Sequence, residues 1–465
     1  MEYTVKDILQ LEVSPALGCT EPTAIAFGAA AAVSLLSFKG GFSNPSLKGG
    51  FSNRGCIDFI ELWLDPNIFK NGLAVAIPGT GGLSGIELAS AIGAIAGDPL
   101  LRMEVLLNIT DDDVKRASQL VSSGKVKVNL LDNHRGLYVK TAVQSGKDTA
   151  VSTIEVLHDN ITNLELNGSI IAEHPIYNND KTSNKDSRHK RGNAVELEKE
   201  LKEITIQEVI ALAEKFDSDD LDFIEQGIEM NMALAIYGLE HDCGLQVGAT
   251  LKKLSDKGLI AKDMIHTARF LTAAAGDARM SGARLPAMSS AGSGNHGLTA
   301  IIPVKAVADH IKAERNELCK AVGLSHIVTA CIKAHTGRLA AICACSVAAG
   351  AGAAAGITYL LGGTSEQIAW AIENIIEDLA GVICDGAKNS CALKLDTAAG
   401  TAVKAALFAI NGLNVKTTDG IVGETPERTI RNIGILSSQG MAETDKVILK
   451  IMLDKILQKS SIPTV

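Results

Sequence analysis

Four of the nine cysteines in this 465-residue chain stand in two neighbouring segments: Cys343 and Cys345 in AAICACSVAAG, and Cys384 and Cys391 in GVICDGAKNSCALK. The second pair flanks Gly386 and Asn389, residues that let backbone bend around a ligand, and thiolates at such a turn can hold zinc or an iron–sulfur cluster. The spacing leaves a second reading open. A CxC followed at a distance by Cx6C fits no standard zinc ribbon or ferredoxin pattern, and cysteine is also a small buried hydrophobe that suits an Ala-rich helix. Cys19, in PALGCTEP, stands just ahead of an expected helix N-terminus. There a lowered pKa would fit it to act as base or nucleophile, with an inert packed thiol as the alternative.

Two glycine-rich turns, PGTGG at 78–82 and SSAGSGNHG at 289–297, each open a helix. Free amide hydrogens at the positive end of a helix suit a carboxylate or a phosphate. Gly292, Gly294 and Gly297 formally match GxGxxG, but PAMSS ahead of them reads as no strand. Glu317, at the spacing of a ribose ligand, falls inside a charged helix, which argues against a dinucleotide fold. His241, Asp242 and Cys243 are consecutive and cannot face one another from one helix. His296 and His335 lie near the interesting loops and read as backbone hydrogen-bonding residues.

The elements expected to position these groups change character along the chain. Helix is expected over Thr4–Leu11 and Ala24–Leu36, strand over Ile57–Leu64 and Leu73–Ile77, then the PGTGG turn and a helix over Gly85–Ile95. An amphipathic helix over Asp111–Ser122 precedes strands at Val126–Leu131, Gly136–Val143 and Ala150–Leu157. KGGFSN occurs twice between Lys39 and Asn53, a local duplication in a surface loop. Residues 1–177 therefore read as an α+β domain carrying Cys19 and PGTGG. The polar stretch 178–193 reads as a linker or surface insertion. Residues 194–465 read as all-helical, including Leu298–Val322, His326–Ala334, Leu339–Leu361 and Ala398–Ile410.

Length predicts two or three domains, and the polar stretch at 178–193 divides the chain into two. Aromatics make up 4% of residues against 46% apolar, with 44 glycines, so the cores are expected to be built from small side chains. A net charge of −9 argues against nucleic acid as a partner. An odd number of cysteines and an N-terminus without a signal-like segment point to the reducing cytoplasm. Residues 339–364 carry no charge and are long enough to span a bilayer. Their Ala, Gly, Cys and Ser content nevertheless reads as a buried core helix and no membrane association.

PALGCTEP, NIFKNGLAVAIPGTG (67–81), SSAGSGNHGLTAIIPV (289–304) and ICDGAKNSCALK (383–394) together resemble the L-cysteine desulfidase family. That family is related to the α-chain domain of the iron–sulfur L-serine dehydratases, whose LGGTPEQ is echoed by LGGTSEQ at 361–367. The resemblance runs in order over nearly the whole chain. It implies a [4Fe-4S] cluster on three cysteines, with one iron left open as a Lewis acid. Cys384 and Cys391 match two ligands, and the third falls at Cys343, with Cys345 as the alternative. Cys19 matches the proposed catalytic base, while Asn71, Thr80, Ser290, Ser293 and Asn295 are the expected substrate-binding residues. Cys56, Cys243, Cys319 and Cys331 match no motif and read as structural. The implied reaction is elimination of sulfide from L-cysteine, a small amino acid, to give pyruvate and ammonia; separately, cores this rich in small residues often continue into subunit contacts, which points to a homo-oligomer. The alternatives are an L-serine or L-threonine dehydratase with the same cluster, and a non-catalytic helical protein stapled by zinc.

Overall fold

The computed structural model describes residues 3–36, 57–132, 134, 136–172, 174, 176, 189–337 and 340–460. The KGGFSN duplication, Cys56 and residues 178–188 of the expected linker lie outside them. Helix α1 (Val5–Glu12) opens on a reciprocal cap between Thr4 and Asp7. It leads through β1 (Pro15–Leu17) to α2 (Thr20–Leu36), which is buried almost end to end. Next come β2 (Phe59–Leu64), α3 (Pro66–Gly72), α4 (Ile86–Ala96), a short 3-10 helix at Pro99–Glu104 and α5 (Asp111–Ser122). Strands β3 (Val126–Leu130), β4 (Tyr138–Ser145), β5 (Asp148–Glu155), β6 (Ile161–Leu166) and β7 (Ser169–Ile170) complete one sheet in the order β3-β2-β4-β5-β6-β7. Only the β2–β3 pair is parallel.

Strand β2 alternates as a one-sided strand should, with Ile60, Leu62 and Leu64 fully buried. Helix α2 lies on this sheet, where the Ser152 hydroxyl donates to the Gly28 carbonyl at 2.7 Å. On its other side α4 comes so close that a Cβ on Gly93 would stand 2.1 Å from the Ala26 carbonyl oxygen. Small residues thus allow contact of backbone on backbone, where larger side chains would hold the elements apart.

The remainder is mostly helical. It comprises α6 (His189–Glu203), α7 (Ile206–Ala213), α8 (Ser218–Glu240), α9 (Val247–Asp256), α10 (Met264–Met280), β8 (Pro286–Met288), α11 (Gly294–Ile311) and α12 (Arg315–Thr336). Helices α13 (Ala348–Leu360), α14 (Ser365–Leu379), α15 (Cys391–Ile410) and α16 (Pro426–Ile435), a π-type turn at Leu436–Gly440 and α17 (Ala442–Ser460) follow. The α+β reading with a helical C-terminal part is what the fold shows. The first turns of the chain cross over to that helical part. Val5, Ile8 and Leu9 of α1 are buried in its core, and β1 pairs antiparallel with β8, Ala16 opposite Ala287. Cys19 therefore sits where the sheet region and the helices meet.

Several expected elements differ. Leu73–Ile77 forms no strand, because the PGTGG turn folds back on itself through Ile77 N–H to Leu83 O at 2.8 Å and leaves only an Ala76–Ser84 bridge. PAM at 286–288, read as no strand, is β8. The helix expected over Leu298–Val322 is two helices, α11 and α12. It breaks at Lys312, whose φ of 58° is left-handed, and restarts on a Glu314–Glu317 capping box. The helix expected over Leu339–Leu361 begins only at Ala348. Residues 341–343 pair with 382–384 instead, Cys343 N–H to Val382 O at 2.8 Å and Cys384 N–H to Ala341 O at 2.6 Å. Helix α15 starts at Cys391, ahead of the expected Ala398, and α6 takes in the last residues of the expected linker. Strands β6 and β7 and helices α16 and α17 were not foreseen. Among the described residues no helix is long and apolar enough to cross a membrane.

Gly93→Ala is expected to destabilise the fold by about 1–3 kcal/mol in denaturant unfolding, since backbone must shift to admit the methyl. Gly350→Ala in α13, whose added Cβ meets Ile375 at an ordinary 3.7 Å, is expected to be neutral or stabilising within about 1 kcal/mol. Asp65 caps α3 by accepting from the amides of Asn67 and Ile68 and also accepts from Tyr138 N–H. Burial outweighs these bonds and pushes its carboxyl up to about 6. The folded state then binds the proton more tightly than the unfolded chain, so stability must fall as pH rises from about 4 to about 6. Unfolding curves over that range should show wild type losing roughly 2–3 kcal/mol relative to Asp65→Asn.

Candidate functional site

Five thiols converge on one cavity of about 90 Å³: Cys19, Cys343, Cys345, Cys384 and Cys391. They arrive from three places in the chain. Cys343 comes on the paired segment ahead of α13, Cys345 on the turn that follows it, and Cys384 on the pairing partner. Cys391 is the first residue of α15, and Cys19 precedes α2. The pairing of 341–343 with 382–384 is thus what brings the CxC and Cx6C motifs together.

The turn before α2 is fixed by contact with the other glycine motif. Gly18 has φ +71°, and a Cβ there would stand 2.1 Å from Pro78 Cγ, so only glycine fits against PGTGG. Thr23 donates to the Cys19 carbonyl at 2.7 Å and to that of Leu17 at 3.1 Å. Arg279, in the last turn of α10 and 2% exposed, reaches into this turn. Its Nη2 donates to Gly18 O at 2.5 Å, and its Nη1 to Asn295 Oδ1 at 2.8 Å and toward Cys19 Sγ at 3.9 Å. Glu21, also buried, takes the Thr20 hydroxyl at 3.0 Å.

The thiols differ in their tendency to ionise. Burial pushes Cys19 up to about 12 against the opposing pull of Arg279, contrary to the lowering expected from its place ahead of a helix. Cys343 is drawn down by a hydrogen bond from Cys345 and by Ser346, and Cys345 in turn holds its proton. Burial raises Cys384 and takes Cys391 to about 11, with Lys70 and Lys388 working against it.

The 383–391 loop is shaped by ammonium groups on its carbonyls. Lys394 donates to Ile383 O at 2.6 Å, Lys70 to Cys384 O at 3.2 Å and Lys388 to Gly386 O at 2.9 Å. Asp385 accepts from both Lys388 and Lys394 at 2.6 Å. Burial raises its carboxyl, but these two bonds overcome that and bring it to about 2.

Of the expected substrate-binding residues, Asn71, Ser293 and Asn295 line the cavity together with Arg279, Lys394 and His158. Thr80 and Ser290 do not line it. The Thr80 hydroxyl donates to Ile77 O at 2.8 Å and Leu83 O at 3.1 Å, closing its own turn. The Ser290 hydroxyl lies 2.9 Å from His326 Nδ1, and burial pushes that imidazole down to about 4 and keeps it neutral. Cys243, Cys319 and Cys331 lie outside the cavity lining. Among the described residues no three Cys, His, Asp or Glu side chains close on a single point as ligands of one ion would.

Sequence reasoning missed Arg279, Lys70, Lys394 and His158. Arg279 left one trace: Asp277 and Arg279 are the two charges of the run LTAAAGDARM, in a helix whose C-terminal half is buried. Arg279→Met is expected to strand Gly18 O and Asn295 Oδ1 in the interior and cost roughly 2–4 kcal/mol in denaturant unfolding. Arg284→Met, on an exposed side chain that reaches Gly79 O, should cost under about 1 kcal/mol.

Residues 102–450 match the family described as serine dehydratase alpha chain. A UPF0597 protein of Desulforapulum autotrophicum is 64% identical over 99% of this chain and 100% of its own length. Another, from Desulfatibacillum aliphaticivorans, is 53% identical over 98% of this chain and 99% of its own, and one from Clostridioides difficile is 40% identical over 96% and 99%.

Proposed function

From the premise that this chain belongs to the serine dehydratase alpha chain family, we propose that it is an iron–sulfur lyase that eliminates sulfide from L-cysteine. The observation that carries the reading is the convergence of Cys343, Cys384 and Cys391 on one cavity, with Cys19 and Arg279 on its wall. Thiols arranged around a space suit a cluster, whose ligands stand at separate corners, better than a single zinc ion, which draws its ligands to one centre. Bound there by those three cysteines, a [4Fe-4S] cluster would supply a Lewis-acidic iron for the substrate.

The protein's own groups account for the rest. Asn71, Ser293 and Asn295 hydrogen-bond the amino acid, and Thr80 and Ser290 act by shaping the two turns. Cys19 accepts the α-proton. Because burial keeps its thiol protonated at rest, the thiolate it needs is a minor form, and the neighbouring Arg279 guanidinium is the group that makes that form accessible. Loss of the α-proton and of the β-sulfur leaves aminoacrylate, which becomes the imine and takes up water to give pyruvate and ammonia. Sulfide is the third product. The Gly, Ala and Cys parts of the wall leave room for a three-carbon substrate among the polar side chains.

A second reading rests on the family itself: the same cavity could expel hydroxide from L-serine. An anaerobic assay of pyruvate release from L-cysteine beside L-serine separates the two, and faster turnover of L-serine overturns the desulfidase assignment. Protein purified without oxygen should be brown, with iron and acid-labile sulfide. Cys391→Ser should lose both colour and turnover. Cys19→Ser should keep the colour and lose at least about 10² in kcat. Full activity in Cys19→Ser would remove it as the base.

A further inference from the structure

The C-terminal unit stands one step from both cysteine-bearing segments, against the end of α12 ahead of one and against Lys70, which bonds the other. Helix α16 lies against the end of α12, close enough that a Cβ on Gly434 would stand 2.8 Å from His335 O. In the π-type turn that follows, the buried Ser437 hydroxyl donates to Thr336 O at 3.1 Å, at the last residue of α12, just ahead of the segment bearing Cys343 and Cys345. Helix α17 then sends Asp445 to Lys70 Nζ at 2.5 Å, and the same ammonium donates to Cys384 O. Lys70 is 1% exposed. An ammonium so deeply buried is costly unless paired, and Asp445 is its ion-pair partner. The backbone of α3 is in contact as well: a Cβ on Gly386 would stand 2.6 Å from Lys70 O. Helix α17 packs mainly on α3 and on the turn before it. Beside the buried Ile448 and Leu449, the ion pair is the charged contact that ties α17 to α3.

We propose that α16, the π-type turn and α17 form a clasp that holds the two cysteine segments in register for the cluster, with Lys70 and Asp445 as positioning residues. The proposal rests on the cluster reading above. The clasp acts through backbone: Ser437 fixes where the 340–347 segment starts, and Lys70 fixes the carbonyl of Cys384. The pairing of 341–343 with 382–384 joins the two. If docking of α17 orders the ligand segments, coupling is reciprocal, and ligand binding there must tighten α17 in return.

The test uses the full chain, reconstituted anaerobically with ferrous iron and sulfide. Wild type should take up iron and develop visible absorbance. Asp445→Asn should lose that absorbance roughly tenfold faster in the presence of a chelator, Lys70→Met should do so at least as fast, and Asp445→Glu should restore retention. Hydrogen exchange reads the same link without any substitution: amides in 442–460 should exchange about fivefold or more slowly in the loaded than in the iron-free protein. A wild-type chain that takes up no iron overturns the cluster reading and the clasp with it. A loaded wild type whose α17 exchanges at the iron-free rate, or an Asp445→Asn variant that retains iron as wild type does, overturns the clasp alone.

Discussion

The site depends on one buried guanidinium. Arg279 donates to a main-chain carbonyl, a side-chain amide and a thiol, and none of these carries a formal negative charge in the protonation states favoured by burial. A cation removed from water and bonded to neutral groups alone is expensive to maintain. It makes physical sense as one half of a charge balance, the other half being an anion in the cavity beside it: a thiolate, an anionic cluster or a carboxylate. Three segments take their places from that charge, since the Gly18 turn and the start of α11 meet α10 at its two Nη nitrogens.

Around this centre the fold trades side-chain volume for proximity. Gly18 on Pro78, Gly93 on Ala26, Gly297 on the Met288 carbonyl and Gly386 on Lys70 are contacts that admit a Cβ only if a neighbour moves. Each brings main chain hard against its neighbour, a proline ring at Gly18 and main chain at the other three, which is how loops from distant parts of the sequence crowd round a cavity of about 90 Å³. The low aromatic content of the composition, 4% of residues, is the same fact seen from the sequence.

What the sequence made legible was local. The motif cysteines, the two glycine turns and the change from α+β to helix could be read because each lies within a few residues of chain. Arg279, Lys70 and Asp445 could not, because their meaning lies in partners hundreds of positions away and an isolated Lys or Asp looks like any solvated charge. The uncharged run at 339–364 misled for a related reason. Its composition suits a helix throughout, yet its first residues find hydrogen-bond partners in 382–384, and that long-range pairing overrides local propensity. The Cys19 thiol illustrates a different limit: its place ahead of a helix was evident, but the burial that governs its proton was not.

The ribbon of β1 and β8 has a consequence for biosynthesis. Ser14 and Ser289, which flank it, are 275 positions apart, so the strand bearing the approach to Cys19 leaves the ribosome long before its partner exists. The cysteines that complete the cavity are made later still, and α17, which reaches their loop through Lys70, is made after them. A domain that folds as it emerges could not assemble this pocket early. Until α10 has emerged Cys19 is an ordinary thiol without its guanidinium neighbour, and all five thiols of the cavity exist together only after residue 391 has been made.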